Sequence, residues 1–162
     1  MIIHVKNKNT LIIDDFHLRC CVGKTGVNSN KKEGDFSTPK GLFKLKKLYF
    51  RKDRVEPPKS QIKKKIITKN MGWCDDPKHK KYNEEIQVFD KNNKENFYRK
   101  DHIYDYLLTI SHNEKKIPYN GSAIFIHLTD NFKPTSGCIA LKKKDFKILL
   151  KLINQKTKIK IS

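Results

Sequence analysis

No stretch of this chain approaches the roughly 18 to 20 consecutive apolar residues that an α-helix needs to cross a bilayer, which excludes a helical membrane span. Cysteine is scarce. Cys20, Cys21, Cys74 and Cys138 are the only four, and no Cys-x-x-Cys pair occurs, so the usual spacing of a structural zinc site is missing. Cys20 and Cys21 are adjacent and would point to opposite faces of a strand; one of them is expected in the core, and a disulfide to Cys74 stays open. Acidic residues are few: 17 Asp and Glu stand against 36 Lys and Arg, leaving a net charge of +19. There is no internal repeat. The opening residues Met1-Ile-Ile-His-Val5 lack the basic region and long apolar segment of a secretory leader and read as a first strand.

At 162 residues, 36% of them hydrophobic, the chain has the size of a single domain (residues 1–162) with a modest core. Its charge favours an anionic partner such as nucleic acid, acidic lipid or an acidic wall polymer. Lysines scattered among Asn and Ile fit a merely solvated surface equally well.

The apolar pattern is mainly that of strands. Residues 2–5 and 10–13 are apolar and β-branched around a Lys-Asn-Lys-Asn turn, and residues 17–22 form a third strand. After a turn at Gly23-Lys-Thr-Gly26 and a polar loop, residues 36–45 restart the sheet. Residues 46–69 are strongly basic, carry Pro57-Pro58, and read as an excursion at the sheet edge with a hairpin through residues 62–68. Residues 71–83 read as a loop and 84–99 as a polar stretch with one helical turn. Residues 104–110 and 123–128 are runs fit for buried strands. Phe146, Leu149, Leu150 and Ile153, spaced i, i+3, i+4, i+7, predict a late helix, with Asp145 in its first turn where the helix dipole favours negative charge. Lys158-Ile-Lys-Ile161 alternates as a closing strand.

The segment Gly121-Ser-Ala-Ile-Phe-Ile-His127 followed by Pro134-Thr-Ser-Gly-Cys138-Ile-Ala-Leu141 carries the chemistry. A histidine ends an apolar strand, and a cysteine sits in a tight turn a few residues on. A short connection can fold one beside the other, as a thiol nucleophile and its base require. A free thiol has a pKa of about 8.5 and needs a base at neutral pH. Gly137 permits a sharp turn at positive φ, and the N–H groups of Gly137 and Cys138 are candidate donors to an oxyanion. Thr135 and Ser136 add hydroxyl donors or hold the turn. A small buried cysteine and a satisfied core histidine fit the same residue types.

Thr38-Pro-Lys-Gly-Leu-Phe43 resembles the Thr-Pro-x-Gly-x-Phe motif of the L,D-transpeptidase (YkuD) catalytic domain, and His127 with Ser136-Gly-Cys138 is similar to that family's His and Ser-His-Gly-Cys elements. Gly72-Trp-Cys-Asp-Asp-Pro77, Tyr82-Asn83, Tyr104-Asp105, residues 121–127 and residues 134–141 resemble a divergent bacterial branch. The resemblance implies a β-sandwich or open barrel with one late helix, acting on peptidoglycan. It implies Cys138 as nucleophile, His127 as general base and the turn around Gly137 as oxyanion hole, with no metal or organic cofactor. The cysteine would form a thioester with a stem peptide, resolved by a diaminopimelate amine in a 3→3 or a 1→3 link, or by water in a hydrolase. A basic nucleic-acid-binding module is the reading from another class, supported by Lys, Tyr and Phe interleaved at residues 44–54, although no specific nucleic-acid motif occurs. The wall substrate implies the periplasm or cell envelope, and a monomer is expected.

Two positions depart from the family pattern. Its histidine before Gly-Cys is Ser136 here, and its arginine two residues after the cysteine is Ala140. Something else must then hold a substrate carboxylate. Substrate contacts are expected from Trp73, Asp75, Tyr104, His112 and Asn113. Each has a plainer reading: a core tryptophan, an Asx turn, a strand brace, or two surface residues.

Overall fold

The computed structural model describes residues 1–87 and 94–162. The order is β1 (Ile2–Lys6), β2 (Thr10–Ile13), β3 (Phe16–Cys21), β4 (Val27–Asn28), β5 (Thr38–Pro39), β6 (Gly41–Phe50), β7 (Lys64–Ile66), β8 (Met71–Cys74), β9 (Glu85–Gln87), β10 (Lys94–Asn96), β11 (Tyr106–Ile110), β12 (Phe125–Leu128), β13 (Ile139–Leu141), α1 (Lys143–Leu152) and β14 (Lys158–Ile161). The large sheet runs β11-β12-β13-β3-β2-β1-β14-β6-β7, and β6 also pairs with β11, so the pairings return on themselves in a barrel-like arrangement. The described residues are mainly β with one helix, as the sequence pattern indicated. No helix among the described residues is long and apolar enough to cross a membrane.

The continuous apolar runs are strands buried on both faces, which removes the alternation a half-buried strand would show. On β12, Ile126 and Leu128 enter the main core with Ile3, Val5, Leu11 and Ile159. Phe125, on the opposite face, joins a second cluster with Tyr49, Phe97, Tyr104, Leu107 and Cys138. The helix lays Phe146, Leu149 and Leu150 on the main core, with Ile153 buried just beyond its last turn. Tyr106 stacks on Phe146, ring centroids 5.8 Å apart. Asp145 lies in the first turn as expected.

Several expected boundaries are corrected. Strand β6 continues through residue 50 because Leu45, Leu48 and Phe50 enter the main core while Tyr49 enters the second cluster on the opposite face, so the basic excursion begins at Arg51. Within it a single strand, β7, adds to β6 in parallel in place of the expected hairpin. Residues 71–74 are a strand, not a loop: β8 is paired on both sides, by β9 and β10. Its turn-forming residues hid it, since the apolar partners Phe97 and Phe125 come from distant positions. Residues 84–87 and 94–99 hold β9 and β10, and the remainder of the stretch for which a helical turn was expected lies outside the described residues. Cys20, Cys21 and Cys138 are free thiols, and Cys20 and Cys21 are both buried.

Candidate functional site

Strands β12 and β13 run parallel with His127 opposite Ala140. Side chains two apart on a strand share a face, so His127, Ala140 and, just before β13, Cys138 lie on the same side of the sheet. That side is the floor of a cavity of about 500 Å³ lined by both His127 and Cys138.

The turn before β13 is held from behind. The Thr38 hydroxyl accepts the Gly23 N–H at 2.8 Å and donates to the Gly137 carbonyl at 2.8 Å. Lys24 N–H donates to the Thr135 carbonyl at 2.9 Å, and Thr135 N–H to Val22 at 3.0 Å. Gly137 has φ +146°, and a Cβ there would stand 2.8 Å from the Ser37 carbonyl oxygen. The glycine therefore allows the nucleophile turn to pack on the residue preceding Thr38. Thr135 Oγ1 closes the turn: it accepts from Gly137 N–H at 3.1 Å and donates to the Cys138 carbonyl at 2.6 Å. One of the two expected oxyanion donors, the Gly137 N–H, is thus engaged with Thr135 in this state. Ser136 lines the cavity.

The Cys138 thiol donates to the Ala123 carbonyl at 3.2 Å and accepts the Phe125 N–H at 3.4 Å. Burial pushes it up to about 12. The His127 ring is buried, and burial pulls it down to about 4. Its Nδ1 meets the Leu128 carbonyl at 2.8 Å. A carbonyl only accepts, so Nδ1 carries the hydrogen and Nε2 is left as the basic nitrogen. The Tyr104 ring packs edge-on to His127, centroids 5.3 Å apart. No hydrogen bond joins His127 to Cys138 in this resting geometry. A neutral thiol and a neutral imidazole share one cavity, each anchored to main chain.

Asn83 organises the wall behind the thiol. Its Oδ1 accepts from Trp73 Nε1 at 2.8 Å and from Ala123 N–H at 3.2 Å. Its Nδ2 donates to the carbonyls of His112 at 3.1 Å and Asn113 at 2.9 Å. Both Asn83 and Ala123 have positive φ, 57° and 52°. The Tyr-Asn, Gly-Trp and His-Asn segments singled out in the sequence therefore meet at one carboxamide, one residue from the peptide that holds Cys138.

Of the expected substrate residues, Asp75 and Tyr104 line the cavity, whereas Trp73, His112 and Asn113 do not. Trp73 packs on Phe97 and Phe125, at centroid distances of 6.3 and 5.5 Å. His112 Nε2 meets the Asn120 carbonyl at 2.9 Å, and Asn113 Nδ2 donates to Ile117 and Gly121. Both brace the loop before Ser122.

Sequence reasoning missed Glu33, Glu95, Arg99 and Ser122, which also line the cavity. Ser122 lies inside the Gly121–His127 segment but was given no role there; Glu33, Glu95 and Arg99 sit in no motif, and loops bring them in from distant positions. Tyr104 donates to Glu95 at 2.7 Å, and Arg99 lies 3.8 Å from Glu95. Arg51 and Arg54, part of the basic stretch that suggested nucleic acid, hold this loop instead. Arg51 is buried and donates to the Arg99 carbonyl at 2.7 Å, and Arg54 to the Lys100 carbonyl at 2.8 Å.

A barrel-like β-fold with a cysteine turn and a strand-end histidine sharing a cavity defines a class of thiol-bearing β domains. The sequence profile of the L,D-transpeptidase catalytic domain, YkuD, matches residues 2–161. The chain belongs to this family of peptidoglycan-acting, L,D-transpeptidase-like enzymes. No curated protein and no solved structure matches it.

Proposed function

We propose that this protein is a cysteine acyltransferase that cross-links peptidoglycan stem peptides in the periplasm or cell envelope. The observation that carries this reading is the shared cavity: Cys138 and His127 line the same 500 Å³ space, and the imidazole has its basic nitrogen Nε2 unengaged. The Cys138 side chain turns from the Ala123 carbonyl toward the ring, and Nε2 takes the thiol proton. The sulfur attacks a peptide carbonyl of the donor stem, and the imidazolium returns the proton to the departing amine. A thioester remains on Cys138. The side-chain amine of a diaminopimelate residue on a second stem attacks it, forming a 3→3 or 1→3 amide and freeing the thiol.

The resting pair holds its proton on sulfur, so activation belongs to the substrate complex rather than to a preformed thiolate. The absence of an arginine at Ala140 distinguishes the cavity floor from the usual family pattern and bears on which stem position is taken.

The test is acylation followed by product analysis. Intact mass after incubation with a carbapenem should show one covalent adduct, absent from Cys138→Ala. Incubation with purified monomeric muropeptides should give dimers. Shortened monomers without dimers would replace transfer by hydrolysis, and an adduct that persists in Cys138→Ala would discard the assignment.

A further inference from the structure

We propose that the cavity wall formed by Glu33, Asp75 and Glu95, with the hydroxyl of Ser122 beside it, binds the ammonium group of the acyl acceptor. An amine rather than water then resolves the Cys138 thioester. The inference rests on the acyltransfer reading above.

In a chain of net charge +19, this concentration of carboxylates is against the overall composition. Glu33 comes from the loop between β4 and β5, Asp75 follows β8, and Glu95 lies on β10; all three line the cavity with Cys138. They act on one another. Burial raises the Asp75 carboxyl from its ordinary value, and repulsion from Glu95 and Glu33 adds to it. Two hydroxyls fix the carboxylates without neutralising them, Tyr82 on Glu33 and Tyr104 on Glu95.

The chain's own cations leave the position open. Among the described residues no ion pair involves Asp75 or Glu33. Lys31, in the same cavity, is held by Asp35 at 2.5 Å and by the Lys32 carbonyl at 2.8 Å. Arg99 directs its fork at Asp101, at 2.9 and 2.6 Å, and reaches Glu95 only at 3.8 Å.

Ser122 is the independent sign of a ligand. It is 6% exposed and lines the cavity. Its Oγ is the one buried side-chain N or O atom among the described residues with no hydrogen-bond partner. The Tyr82 hydroxyl lies close enough to feel it, but no bond of proper geometry closes between them. A buried hydroxyl without a partner is costly unless something else satisfies it. An ammonium has three donors, suited to two carboxylates and this oxygen.

The chemistry balances. The bound ammonium gives one proton to Asp75 and becomes a neutral amine. Its lone pair attacks the thioester carbonyl, the C–N bond forms and the C–S bond breaks. The proton shed by nitrogen passes through His127 to the leaving sulfur, restoring the thiol, and Asp75 returns its proton to water.

The experiment acylates Cys138 with a peptidoglycan tetrapeptide stem. It then measures, by mass spectrometry, the ratio of amide to hydrolysed product at increasing meso-diaminopimelate. Asp75→Asn and Glu95→Gln should lower that ratio about tenfold, the size of losing one half-buried charge partner, and leave the ratio of methanolysis to hydrolysis unmoved because methanol carries no charge. Ser122→Ala, which removes only an oxygen without a hydrogen-bond partner, should raise the half-saturating amine concentration about threefold. An unchanged amine ratio in all three, with the thioester forming normally, overturns this inference alone. A wild-type protein that forms no thioester overturns the acyltransfer reading and this inference together.

Discussion

The Thr38 hydroxyl donates to the Gly137 carbonyl at 2.8 Å while accepting the Gly23 N–H at the same distance. Thr38 is fully buried, so one side chain ties two distant segments to the back of the nucleophile turn. Thr38→Val keeps the shape and strands one donor and one acceptor in a dry place. The expected loss is about 2–6 kcal/mol, from about 1–3 kcal/mol for each of the two unsatisfied groups. It should appear as a lower denaturant midpoint at unchanged slope, with slower acylation of Cys138. Thr38→Ser, which keeps the hydroxyl, should recover most of both. Equal midpoints for Thr38→Val and wild type would refute the tie.

Asn83 makes a separate prediction, because its carboxamide uses all four of its hydrogen-bonding positions. Asn83→Gly tolerates the positive φ of 57° and so isolates the loss of the side chain from backbone strain. The expected cost is about 2–4 kcal/mol. Trp73 is the only tryptophan, and losing the acceptor for its Nε1–H should shift its emission in the folded protein. Unaltered emission together with unaltered stability would show that the carboxamide is not the organiser of this wall.

These two anchors show what the sequence could and could not disclose. The Thr-Pro-x-Gly and Tyr-Asn segments are legible as motifs, but their work is done by hydrogen bonds to positions far along the chain, which no local pattern encodes. The β-branched runs and the i, i+3, i+4, i+7 stripe of α1 declared themselves because burial imposes a period. Strand β8 did not: Gly72 and the Asp-Asp-Pro that follows look like turn chemistry, and only pairing with β9 and β10 makes residues 71–74 extended. His127 and Cys138 were found because they terminate an apolar strand and occupy a glycine turn. Glu33 and Glu95 sit in polar surroundings that give no such signal, and the convergence of separate loops brings them to the cavity.

The thiol of Cys138 should behave as a poor nucleophile until substrate arrives. Burial sets its value at about 12, so the thiolate fraction at pH 8 is of order 10⁻⁴, tenfold for each unit. Alkylation by iodoacetamide, read as the mass increment absent from Cys138→Ala, should be slow at neutral pH. It should climb about tenfold per pH unit beyond pH 9 without levelling. A plateau reached below pH 9 would mean a preformed thiolate and would contradict the anchoring of the thiol on Ala123.

His127 predicts the acid limb of stability. Its folded value of about 4 lies below the ordinary 6.5 of an exposed imidazole, because burial disfavours the cation. Between those two values the unfolded chain binds more protons than the folded one, so stability rises with pH across that window and falls on acidification. The neutral ring is favoured in full above pH 6.5, and the advantage drains away as pH drops toward 4. A difference of 2.5 units corresponds to about 3 kcal/mol. His127→Gln removes the titration and leaves the other groups in place, including His112, which burial also depresses. Denaturant unfolding of both proteins at pH 7 and pH 4 isolates the contribution as a difference of differences: wild type should lose about 3 kcal/mol more than the variant. Parallel loss in the two would mean that the imidazole is hydrated enough to protonate freely. The bond between Nδ1 and Leu128 would then not fix Nε2 as the proton acceptor.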